Sequence, residues 1–126
     1  MRARCTALTL PKRLEHLTPR RAAGKWSWPI SLGAEYLVLS LTQTNVGLWY
    51  VTIEHKDQEI PVSAPLALFE VIEPNVSAFW NVRMRGDEIA LQPIEFDEQL
   101  FCDDVQERRG DALERYRAMK ARLAKE

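Results

Sequence analysis

Residues 32–73 read LGAEYLVLSLTQTNVGLWYVTIEHKDQEIPVSAPLALFEVIE, and this stretch constrains the fold more than any other. In residues 36–42, Tyr36, Val38 and Ser40 share one face of an extended chain, and Leu37, Leu39 and Leu41 share the other. A strand that is apolar on both faces is buried or curves through a barrel. Thr44-Asn45-Val46-Gly47 supplies a turn, because Asn and Gly accept positive φ. Residues 48–54 return as a second strand, with Trp49, Val51 and Ile53 on one face. Aromatic and β-branched content favours strand over helix there. A polar turn at 55–58 precedes a short third strand at 59–63, where Pro61 requires an edge or a strand start. Residues 64–68 suit one helical or 3₁₀ turn with Pro65 at its first position. Residues 69–72 are extended again. The stretch is expected to specify a small, strongly bent β-barrel.

The flanks differ in kind. Residues 1–25 carry seven Lys/Arg and the single acid Glu15, and are interrupted by Pro11, Pro19 and Gly24. They are expected to be a basic, partly flexible arm with a little helix around residues 12–17. Residues 26–126 are expected to be one domain. Downstream, residues 76–85 and 88–92 read as strands, with Arg85-Gly86-Asp87-Glu88 as the hairpin between them. The last segment reads as a helix. Asp111 and Glu114 have capping-box spacing, and Ala112, Tyr116, Met119 and Leu123 fall on one face. A second short helix is expected within residues 99–108. The expected class is therefore mainly β (α+β): a small barrel with an added hairpin and a C-terminal helix.

Composition limits the chemistry. The 126 residues suit one domain, and no apolar run approaches the ~20 residues that span a bilayer. Cys5 and Cys102 are isolated, so neither a disulfide framework nor a CxxC zinc site is expected. A reducing cytoplasmic location is the expectation. His16 and His55 flank no nucleophile in a recognisable motif. There is no phosphate-binding GxxxxGK[ST] or GxGxxG signature. The chain is read as a non-enzyme, with no catalytic residue, metal site or cofactor assigned.

Two charge features remain. The formal net charge of −1 divides into a basic segment before residue 26 and a strongly acidic remainder. Within the remainder, residues 95–107 hold Glu95, Asp97, Glu98, Asp103, Asp104 and Glu107 with no Lys or Arg, and Phe101 lies among them. Carboxylates steer association with a basic partner, and an aromatic anchor supplies affinity. Asp97, Glu98, Phe101, Asp103 and Asp104 are the candidate partner-binding residues. The competing reading has Phe101 packed inside and the acids merely solvated. The alternative function is nucleic-acid binding through the basic arm, with Arg20 and Arg21 beside Trp26 and Trp28, since bases stack on exposed aromatics near basic groups. Exposed strand edges, with Trp26 and Trp28, also admit a homodimer.

Gly33-x-x-Tyr36-x-Val38, then Trp49-Tyr50-x-x-Ile53, then Pro61 and Pro65 before Leu68-Phe69-Glu70-Val71 resembles small bacterial and phage SH3-like barrel proteins. Its pattern is LxxGxxYxV…WYxI…P…LFEVV, and it covers residues 32–73. The resemblance implies a barrel scaffold. The continuation to the C-terminal helix looks like small bacterial proteins, some of which are immunity partners of secreted toxins. That likeness implies a protein-binding module that neutralises a cognate toxin domain by covering it.

Overall fold

The structure, a computed structural model, describes residues 1–16 and 28–126. It is mainly β, with two antiparallel sheets and a C-terminal helical layer. The first sheet holds β1 (Arg2–Cys5), β2 (Glu35–Leu37) and β6 (Phe69–Glu73), in the order β2-β1-β6. The second holds β3 (Ser40–Gln43), β4 (Trp49–Glu54), β5 (Pro61–Pro65), β7 (Asn81–Arg85) and β8 (Glu88–Gln92), in the order β5-β4-β3-β8-β7. Both orders are open, so no closed barrel forms among the described residues.

The chain passes between the sheets three times: from β2 to β3, from β5 to β6, and from β6 to β7. Residues 36–42, expected as one strand, break at Val38-Leu39 into β2 and β3. Successive strand residues face opposite sides. Val38 accordingly enters the core between the sheets, and Leu39 faces the helices. The return passage is a 3₁₀ turn at Leu66–Leu68 that connects β5 to β6. The third strand begins at Pro61 rather than at residue 59, consistent with proline starting a strand.

Residues 2–5 are the largest departure from expectation. Read above as part of an arm, they form the central strand of the first sheet, paired with β2 and β6. The alternation Arg-Ala-Arg-Cys drives this placement. Ala3 and Cys5 are fully buried, while Arg2 and Arg4 reach Glu73 and Glu35 at 3.8 Å each. The helix expected near residue 12 is α1 (Lys12–Glu15).

The expected strand at 76–85 shortens to β7, and residues 76–80 are irregular. Ser77 Oγ and the Ala78 N–H both donate to the Glu126 carboxylate, which ties this segment to the end of the last helix. A 3₁₀ turn (Ile94–Asp97) leads to α2 (Phe101–Glu107) and α3 (Ala112–Ala124). Phe101, Val105, Ala112, Tyr116, Met119 and Leu123 form a second apolar cluster around Leu39. The helix and its face over residues 112–124 match the sequence reading, but the capping box does not form. The Asp111 side chain makes no cap hydrogen bond, and its carbonyl accepts the Arg115 N–H at 3.0 Å.

Candidate partner-binding surface

The acidic segment folds against basic side chains that are distant in sequence. Asp97 accepts from Arg83 Nε and from Gln92 Nε2, each at 2.7 Å. The Arg83 guanidinium beside it holds the Asp97 carboxyl below the usual range. Glu98 receives both terminal nitrogens of Arg115, at 2.6 and 2.8 Å, and its carboxyl is lowered by that pairing. Burial pushes Glu95 up, but the Arg122 hydrogen bond at 2.9 Å, with Arg115 nearby, leaves it below the ordinary value. On α2, Asp104 lies 3.9 Å from Arg109, and Glu107 also pairs with Arg109. Among the six acids, Asp103 alone has no ion pair within the described residues. The expected acidic surface is therefore largely neutralised by the protein's own arginines.

Phe101 is corrected as well. Its ring is 2% exposed, packs edge-on to Phe96, and has the Arg115 guanidinium 5.3 Å from its centroid. A ring so buried holds the helices to the sheet and cannot anchor a partner. Its apolar spacing with Val105 gave the signal, since both fall on one side of α2.

For the nucleic-acid set, Arg20, Arg21 and Trp26 lie outside the described residues. Trp28 is 6% exposed and belongs to the core between the sheets, so it offers no open face for stacking. Arg2 and Arg4 are taken up by Glu73 and Glu35.

An unforeseen surface lies on the hairpin of β7 and β8. All five β7 residues are exposed, with Val82 at 63% and Met84 at 69%. The sheet register puts Val82 beside Leu91, Leu91 beside Leu41, Leu41 beside Val51, and Val51 beside Ala64. One apolar row thus runs from the fully buried Val51 and Ala64 out to the open edge. The opposite face of the hairpin carries Arg83 and Arg85, which with Thr42, Glu88, Gln92 and Phe96 line a hollow of about 170 Å³.

The backbone of β7 is available too. Gly86 has φ of +57°, while Asp87 does not enter positive φ. That combination fits a type II′ two-residue turn with glycine first. Such a turn makes Arg85 and Glu88 the first hydrogen-bonded pair, and hydrogen-bonded pairs then alternate along the ladder. Asn81, Arg83 and Arg85 bond to β8, so Val82 and Met84 turn their N–H and C=O groups outward. The sequence signal was the Val82/Met84 alternation beside a recognised hairpin; what it lacked was the strand order that makes β7 an edge.

A second cleft among the described residues, about 440 Å³, lies between α3 and the start of β2 and is lined by Tyr36, Glu54, His55, Lys56 and Lys120 among others. Two of its charged groups, Glu54 and Lys120, are engaged in holding α3, and His55 is engaged within its own turn. Lys120 Nζ donates to Glu54 at 2.6 Å, and His55 Nδ1 accepts the Asp57 N–H at 3.0 Å. Among the described residues, no group of three or more His, Cys, Asp or Glu could hold a metal ion, and no helix is long and apolar enough to cross a membrane. The chain matches no family model, no curated protein and no solved structure.

Proposed function

We propose that the chain is a non-catalytic protein-binding module that engages its partner through the β7 edge. One observation carries this: an apolar row continuous with the core ends uncovered at Val82 and Met84, on a strand whose outer backbone groups have no strand partner among the described residues. Exposed edges of this kind invite pairing with another chain. The SH3-like likeness belongs to the same proposal. It is supported by one strand that bends from sheet to sheet at Val38-Leu39 and by the 3₁₀ turn that returns the chain. The narrower form is an immunity protein of the bacterial cytoplasm that covers a cognate toxin. Asp103 is the member of the acidic segment left to assist in steering.

A photo-crosslinking residue placed at Met84 in the cells of origin tests the proposal. A discrete heteromeric adduct is expected from Met84 and not from the exposed Gln106 on α2. Identical adducts from both positions would count against it. For the narrower form, co-expression with an adjacent toxin gene should restore growth, and absence of rescue removes that form.

A further inference from the structure

We infer that β7 accepts an extended segment of the partner as an added strand, apolar where it faces Val82 and Met84 and carrying a carboxylate opposite Arg85. This rests on the protein-binding reading above and names the chemistry of the partner.

Comparison with the other edges favours β7. The outer strand at the opposite end of its sheet, β5, begins and ends with Pro61 and Pro65, which lack the N–H that a neighbour would need. The β6 edge presents Glu70 and Glu73, and β2 is only three residues long. Charged, short and proline-bearing edges resist pairing. By contrast, β7 has five residues and no proline, and its outward backbone groups belong to its two exposed apolar residues.

The charges then select the occupant. On the face opposite Val82 and Met84, Arg83 is already bound to Asp97. Arg85 makes no hydrogen bond or ion pair among the described residues, although Glu88 is its neighbour across the hairpin. A residue directly opposite Arg85 on an added strand shares its face, and opposite charges there are favourable. A second copy of this chain fits poorly. The antiparallel register that stacks Val82 on Met84 of the other copy sets Arg83 against Arg83 and Arg85 against Asn81, so it supplies Arg85 with no carboxylate. Like charges directly opposite one another destabilise the pair.

The probe is a capped peptide alternating valine and glutamate, titrated into the full chain and followed by amide chemical shifts. Shifts at Val82 and Met84 are expected, with binding at least about tenfold tighter than for the valine–lysine peptide. Backbone pairing uses one alternate set of peptide nitrogens, so N-methylation of one set should abolish binding while methylation of the other set leaves it. The variant Arg85→Gln, which places a neutral group beside Glu88, should remove most of the charge preference. Equal binding of both N-methylated peptides, shifts confined to α2, or self-association through β7 by sedimentation would overturn the inference. If no peptide binds while the Met84 adduct still forms in cells, strand addition falls and the protein-binding reading stands. If the peptide binds as expected while that adduct is absent, strand addition holds and the cellular reading falls.

Discussion

Lys120 Nζ stands 2.6 Å from Glu54 Oε1, and the same oxygen accepts the Tyr116 hydroxyl at 3.0 Å. One carboxylate at the end of β4 thus fastens two successive turns of α3 to the sheet. Lys120 also lies 4.7 Å from the centre of the Tyr116 ring. Burial, reinforced by the Glu54 charge, pushes the Tyr116 phenol above its ordinary value, so it remains a donor throughout the working range. Tyr116→Phe should lower stability by about 1 kcal/mol, the net worth of one hydrogen bond. Glu54→Ala should cost more, about 1–3 kcal/mol, because it leaves the buried hydroxyl unsatisfied. Urea unfolding of the two variants gives the order, and a smaller loss for Glu54→Ala would refute it.

Glu59 makes stability depend on acidity. Two nitrogens of Arg117 donate to it at 2.7 Å, and its carboxyl is lowered from 4.5 to about 2, chiefly by that pairing. A carboxyl depressed in the folded state stabilises fully above its unfolded value and loses that contribution as pH falls through the folded value. The window is thus from 4.5 down to about 2. Because the pair lies near the surface, solvent and salt reduce its effect. The urea midpoint of the unaltered protein should exceed that of Glu59→Gln at neutral pH, and the difference should close across this window. A difference that stays constant with pH would be inconsistent with the ion pair.

Phe101 and its acidic neighbours should separate cleanly. Phe101→Ala is expected to cost about 3–5 kcal/mol, as for other buried phenylalanines. Replacing Asp103 and Asp104 together by lysine should change stability by no more than about 1 kcal/mol, since Asp103 is exposed and the half-buried Asp104 has only a long ion pair. The double change should also leave the Met84-dependent adduct in place. Its loss, with the melting temperature unchanged, would return the binding site to the acidic segment.

Arg108 offers a test in the stabilising direction. It closes α2 with φ of +56°, and its N–H donates to the Val105 carbonyl at 3.2 Å. A non-glycine residue in this region costs roughly 1–2 kcal/mol, against about 0.5–1 kcal/mol of added chain entropy for glycine. Arg108→Gly should therefore gain about 0.5 kcal/mol, read as a higher urea midpoint. A lower midpoint would mean that the arginine side chain contributes more than its backbone costs.

What could be read in advance follows the range of each signal. Trp49, Val51 and Ile53 announced β4 because alternation is written in neighbouring residues. Tyr116 and Met119 announced α3 for the same reason. Ala3 and Cys5 did not announce β1, because two small residues among arginines carry little apolar signal; pairing on both sides makes them a strand. The acidic segment misled for a related cause. Its charge was counted along the chain, whereas Arg83, Arg115 and Arg122 reach it only through folding. The open face of Val82 and Met84 required the strand order, which local pattern does not contain.

The central position of β1 also sets an order of events during synthesis. Thr6 hydrogen-bonds to the Leu68 carbonyl across 62 residues, and β1 next to it pairs with residues 69–73. Ala3 and Cys5 therefore leave the ribosome long before the strand that completes their cover exists. Contacts this distant in sequence slow folding, because a large loop must close before they are rewarded. Of the described strands, the first to be made is among the last to be sheltered, and chaperone occupancy should concentrate on that interval.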